Sequence, residues 1–150
     1  MKSIIEEIGG DVFCLLVDES ADVSGKEQMA VVVRYVDKLG VIKERLIGIV
    51  HVKETSASCL KSNIDNLFAK YGLSLKQVRG QGYDGASNMR GEFNGLRALI
   101  LRENSSAYYI HCFAHQLQLV LVAVAKKNDD ANDFFDMTSL LISVVGASCK

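Results

Sequence analysis

A chain of 150 residues with 49% hydrophobic content is large enough to bury one core, and one domain is the natural count. Its formal net charge of -1 excludes the basic excess of an autonomous nucleic-acid binder, so any grip on DNA must come from a local patch, from further segments or from a bound metal. No apolar run reaches the roughly 20 residues that span a membrane, proline is absent and no stretch is low-complexity.

Residues 2–8 read as the last turns of a helix, stopped by Gly9 and Gly10. Residues 12–17 read as a strand apolar on both faces, which is the signature of a central strand. Asp18 closes that run and shares the face of Cys14 and Leu16 by period-two counting. Ser24, Gly25 and Lys26 make a turn into a valine-rich second strand over residues 28–36. A third strand over residues 41–52 carries Lys43, Glu44 and Arg45 and so lies nearer an edge. Short connections make these three an antiparallel meander.

The period then changes. Leu60, Ile64, Leu67, Phe68 and Tyr71 fall at helical spacing, with Ser56 or Ser58 as cap and Gly72 as stop. Residues 76–83 form a fourth strand, reached through that helix and therefore parallel to the first. A helix over residues 93–102, a strand over 108–113 and an all-round apolar, buried helix over 117–125 follow. Asn132 or Asp133 caps a last helix running through Val145. The predicted fold class is α/β, a meander followed by βαβ crossovers in the ribonuclease H-like order, with helices flanking a mixed sheet.

Asp18 and Asp84 are the candidate functional residues. A carboxylate at the end of a buried strand is costly to desolvate unless it faces something positive, and two brought together by neighbouring strands suit a hard divalent cation. Position alone leaves a second reading open, in which each aspartate caps a turn. Glu19 points to the opposite face by alternation and is a poor co-ligand, while Asp22 is within reach of Asp18 from the turn but reads first as a solvated turn residue bonding nearby backbone N–H groups. Gly80 to Gly85 also fits G-x-G-x-x-G, but a dinucleotide fingerprint follows the first strand of a βαβ unit, and Asp84 would repel a pyrophosphate.

His111, Cys112 and His115 invite a zinc reading, yet a structural zinc needs four ligands. Cys14, His51, Cys59 and Cys149 are isolated, so no second pair exists and no zinc is expected in this segment. With no secretory signal, the four cysteines read as reduced intracellular thiols. A Cys112–His115 nucleophilic pair lacks a nameable orienting group. Arg90, Arg97 and Arg102, partly at helical spacing after Asp84, read by default as a solvated face.

Three stretches carry a family resemblance. They are Val17-Asp18-Glu19-Ser20-Ala21-Asp22-Val23-Ser24, then Gly80-Gln81-Gly82-Tyr83-Asp84-Gly85-Ala86-Ser87-Asn88-Met89-Arg90-Gly91, then His111-Cys112-Phe113-Ala114-His115-Gln116-Leu117-Gln118-Leu119. In sequence, order and spacing the chain resembles the hAT transposase superfamily, especially the transposon-derived MYM-type and TTF-type zinc finger proteins. Ala21 stands where that family usually has threonine.

The resemblance implies a ribonuclease H-like core in which Asp18 and Asp84 are the first two acids of a D-D-E triad. They would hold Mg²⁺ or Mn²⁺ for DNA strand cleavage and joining. The third acid, a glutamate on a late helix, falls beyond Lys150, so the chain reads as the front part of that core, an incomplete domain with DNA binding weak or absent on its own. Cys112 and His115 are implied to lie beside the metal ligands in a supporting role. A nuclear setting and a homo-oligomeric full-length parent are further implications, with no membrane partner. The alternative is a domesticated, non-catalytic protein used for interaction or transcriptional regulation.

Overall fold

The computed structural model describes residues 2–148, so Cys149 lies outside the described residues. Helix α1 (Lys2–Ile8) ends at Gly9 and Gly10, whose φ values of 57° and 88° are open to glycine at little cost. Three strands follow, β1 (Phe13–Ala21), β2 (Glu27–Val36) and β3 (Ile42–His51), then helix α2 (Ala57–Tyr71). A single 3₁₀ turn (Leu75–Gln77) leads into β4 (Val78–Tyr83). The short α3 (Ser87–Arg90), α4 (Leu96–Glu103) and β5 (Tyr108–His111) come next, and two further helices, α5 (Phe113–Ala125) and α6 (Asp129–Ser148), end the described chain.

The strands make one mixed sheet in the order β3-β2-β1-β4-β5. β1 pairs antiparallel with β2, and β2 antiparallel with β3, as the short turns dictate. β1 pairs parallel with β4, and β4 parallel with β5, because a helix intervenes in each crossover. The expected α/β class, central first strand and charged outer third strand are thus observed.

The core lies on the sheet face carrying Phe13, Leu15 and Val17 of β1, all buried. Leu60, Ile64, Leu67 and Phe68 of α2 pack there with Leu96 and Ile100 of α4. Phe13 and Phe68 meet edge to face, ring centroids 5.6 Å apart. Helix α2 starts where Ser56 accepts from the Cys59 N–H and stops at Gly72 in the left-handed region, φ 71°. Lys61 is the one charged side chain buried among these described residues, and it bridges the helices by ion pairs to Asp65 (2.8 Å) and Glu103 (2.6 Å).

Two compact units divide the chain, residues 1–112 and 113–150. The first holds the sheet and its core. The second holds α5 and α6.

Several boundaries differ from expectation. β1 runs on through Ala21, so Asp18 sits inside a strand, paired with Ala30, and does not close one. The hydrogen-bonded pairing with β2 carries the strand past the point where its apolar pattern ends. Residues 87–90 form a helical turn that the expected helix over 93–102 omitted, and that helix begins only at Leu96. Phe113 opens α5 and does not extend β5. The expectation that α5 is buried is overturned, since none of its residues is buried and Leu117, Val120 and Val124 are exposed. An apolar composition reports an affinity for a covering surface and does not by itself supply one. The last helix starts at Asp129 and not at Asn132 or Asp133, with Asn128 Oδ1 accepting from the Ala131 N–H at 3.0 Å.

Candidate functional site

Parallel pairing of β1 with β4 decides where the acids stand. Leu16 is registered against Gly82. Two residues further along each chain come Asp18, in β1, and Asp84, the first residue after β4. Alternation sets Asp18 on the face of Leu16 within β1, and Asp84 follows directly on the strand end that carries Gly82. Asp18 is exposed and Asp84 half-buried. Among the described residues neither carboxylate is in an ion pair with Lys or Arg.

The glycines of the second motif are there for close approach, not for a phosphate cradle. A Cβ on Gly80 would sit 2.9 Å from Cys14 Sγ, and one on Gly82 2.9 Å from Leu16 Cδ2. Both glycines therefore make room for β1 side chains on the face that carries the aspartates. A Cβ on Gly85 would meet the His111 ring at 3.1 Å. The strand before this motif is the fourth in sequence order, with a whole meander ahead of it, which is not the setting of a dinucleotide fingerprint.

The turn after Asp84 is tied down from several directions. Asp84 Oδ1 accepts from the Ala86 N–H at 3.1 Å. The Tyr109 hydroxyl donates to the Asp84 carbonyl at 2.8 Å. The Cys112 N–H donates to the Tyr83 carbonyl at 3.0 Å, which ties Cys112 to the residue preceding Asp84. Below it, buried Gln81 donates to the Ala107 carbonyl at 2.7 Å and accepts from the Tyr83 hydroxyl. Burial holds the Tyr83 phenol far above its ordinary pKa, so it stays a donor. His115 lies on α5.

Sequence reasoning missed Asn88. Its amide donates to Glu19 Oε2 at 2.9 Å and to the Thr55 carbonyl at 2.8 Å. One side chain thus joins the end of β1, the start of α2 and the turn after Asp84. Glu19 itself faces away from Asp18 by alternation, as read from the sequence. Its Oε1 is buried with no hydrogen-bond partner among the described residues. Burial raises the Glu19 pKa against the opposing Asn88 hydrogen bond, and the Asp84, Glu27 and Asp18 charges raise it further. Asp22 is the turn residue expected, its Oδ1 accepting from the Ser24 N–H (2.8 Å) and the Lys26 N–H (3.0 Å).

Among the described residues no three His, Cys, Asp or Glu side chains are grouped to hold a metal ion. Cys14, Cys59 and Cys112 are free thiols. No helix of the described residues is long and apolar enough to cross a membrane.

Residues 1–95, which span both aspartates and Asn88, match the family described as DUF4371: ZMYM1/FAM200, RNase-like domain. The chain belongs to the DUF4371 family. The expected transposase-derived, RNase-like domain is therefore borne out, as is the mixed sheet that goes with it. This DUF4371 chain is also similar to the protein named 52 kDa repressor of the inhibitor of the protein kinase. It is 27% identical over 110 residues to the Homo sapiens protein, covering 73% of this chain and 14% of the relative. Against the Mus musculus protein it is 24% identical over 100 residues, covering 67% of this chain and 13% of the relative. The chain thus spans a small part of the curated relatives it matches. No solved structure gives a significant match.

Proposed function

We propose that this chain is a segment of a hAT-type DNA transposase core in which Asp18 and Asp84 hold a divalent cation, Mg²⁺ or Mn²⁺, against a DNA strand. The observation that supports the reading is the parallel β1–β4 register, in which Leu16 pairs with Gly82, each two residues before one of the acids. The donor set suits such an ion. Both groups are hard oxygen donors, Asp18 is open to solvent, and Asp84 is half-buried with Oδ1 accepting from the Ala86 N–H. When bound, the ion would activate water or a 3'-hydroxyl and stabilise a leaving oxygen of a phosphodiester.

The chain's own part is to orient. Asn88 holds the two acid-bearing segments together through Glu19 and the turn after Asp84. Tyr109 and Cys112 fix the backbone on either side of that turn. With two carboxylates and no third ligand grouped beside them among the described residues, affinity depends on substrate phosphates, and this segment alone is not competent for cleavage. The site of action would be the nucleus, and the full-length parent would assemble with copies of itself.

The test is Mn²⁺ binding, read as loss of the free-ion paramagnetic resonance signal. Asp18→Ala or Asp84→Ala abolishes binding while thermal unfolding changes little, and Asp22→Ala in the remote turn leaves binding intact. Unaltered Mn²⁺ binding in both variants, or none in the parent chain, refutes the reading.

A second reading is a domesticated, non-catalytic regulator, favoured by the word repressor in the names of both relatives. It predicts that a longer protein containing this segment regulates transcription equally well with Asp18 and Asp84 both changed to Ala.

A further inference from the structure

We propose that a cavity next to Asp84, flanked by Arg90 and Arg97, is a subsite for one backbone phosphodiester of a DNA strand. The cavity measures about 280 Å³ and is lined by Gly85, Ser87, Arg90, Gly91, Glu92 and Arg97. Its first lining residue directly follows the second acid, so the subsite adjoins the proposed cation position and rests on that reading for its biological sense.

The two arginines differ from several other cations of the chain. Arg34, Lys43 and Lys61 are committed to carboxylates. Arg102 donates to the Phe93 carbonyl at 2.6 Å and closes the loop before α4. Among the described residues Arg90 and Arg97 have no carboxylate within ion-pair range and no side-chain hydrogen bond. The Arg97 guanidinium instead sits over the Tyr109 ring, 5.4 Å from its centroid. That stacking limits the freedom of the group before any ligand arrives, while leaving its N–H edge for an acceptor.

Tyr109 also records how near these groups are to the acid. Its hydroxyl donates to the Asp84 carbonyl at 2.8 Å, and its ring lies beneath the Arg97 guanidinium. One tyrosine therefore touches the acid-bearing turn and a guanidinium together.

Charge selects the ligand. Two guanidiniums face one carboxylate, Glu92, in the lining, and Ser87 adds a neutral donor. The balance suits a monoanion. A phosphodiester carries one negative charge, whereas a terminal or free phosphate carries nearly two at neutral pH and would meet Glu92 with greater repulsion. Guanidinium also matches the planar, paired-acceptor geometry of phosphate oxygens.

The experiment follows fluorescence anisotropy of a short labelled single-stranded DNA across a salt series, using the whole chain. The Arg90→Ala/Arg97→Ala variant should bind more weakly, with the slope of log K against log salt reduced by about 0.7, as for one strand phosphate. Arg90→Lys/Arg97→Lys should keep the slope near the parent value. Arg90→Ala alone, whose side chain holds nothing in the fold, serves if the double variant unfolds. Mn²⁺ binding without DNA should be untouched by the arginine changes, which separates this subsite from the cation site. Arginine-dependent DNA binding in a chain that binds no Mn²⁺ supports the subsite and refutes only the cation reading. An unchanged slope in the alanine variants, no DNA binding at low salt, or inorganic phosphate displacing the oligonucleotide at lower concentration than a phosphodiester competitor overturns the proposal.

Discussion

Asn88 and Glu19 are 69 residues apart in sequence and 2.9 Å apart in space, amide to carboxylate. The contact joins the D-E-S stretch of β1 to the G-A-S-N stretch after β4. It explains why an asparagine belongs at that point of the turn. A side chain with two N–H groups can serve a carboxylate and the Thr55 carbonyl together, and here it does.

Asn88→Ala should therefore destabilise the fold by roughly 1–3 kcal/mol, because it leaves the Glu19 carboxylate and the Thr55 carbonyl without their shared donor. Urea denaturation reads this as a lower midpoint at unchanged m-value. A cost within a few tenths of a kcal/mol would show that water replaces the amide freely.

Alanine at Gly95 and at Gly80 should behave differently. A Cβ on Gly95 would lie 2.3 Å from the Gly91 nitrogen, and one on Gly91 2.5 Å from the Ser87 carbonyl oxygen. Backbone cannot yield cheaply, so Gly95→Ala should cost on the order of 3 kcal/mol or abolish folding. Gly80→Ala meets the movable Cys14 side chain and should cost about 1 kcal/mol. Comparing the two midpoints checks the order.

Lys61→Met should change stability little, or raise it slightly. The ammonium is buried, but Asp65 and Glu103 are half exposed and regain water when it goes. The methionine fills the same space between α2 and α4. A loss above about 2 kcal/mol in the same denaturation assay would make the bridge a net stabiliser.

Acid should weaken the N-terminal region. The Tyr35 hydroxyl and Lys43 hold the Glu7 carboxyl below its ordinary value of 4.5, and Lys43 holds Asp37 below 3.8. A carboxyl depressed in the folded state binds fewer protons folded than unfolded. Its contribution is complete above the unfolded value and is lost as pH falls through the folded one. Thermal midpoints should accordingly drop as pH is lowered below about 4.5. Glu7→Gln should flatten that drop.

Much of the sheet was legible because buried strands advertise themselves. The doubly apolar run at Phe13–Val17, the valines of β2 and the helical spacing of Leu60, Ile64 and Phe68 each follow from what they bury. The parallel pairing of β1 with β4, from whose neighbouring ends Asp18 and Asp84 come, followed from a crossover argument alone. The role of Asn88 did not, since nothing local to it reveals a partner in β1. α3 is a single turn and has too few residues for a period. The apolar composition of α5 is plain in the sequence, while its exposure is not, because periodicity counts side chains and says nothing of neighbours.

The outer border of the sheet has a consequence of its own. β3 presents one flank with no strand alongside it among the described residues, and Lys43, Glu44 and Arg45 stand in its first half, two of them engaged with Glu7, Asp37 and Arg34. Charge there keeps a second molecule from adding its own backbone to the row. Replacing those three with valines would turn a quiet margin into a template on which fibres could grow.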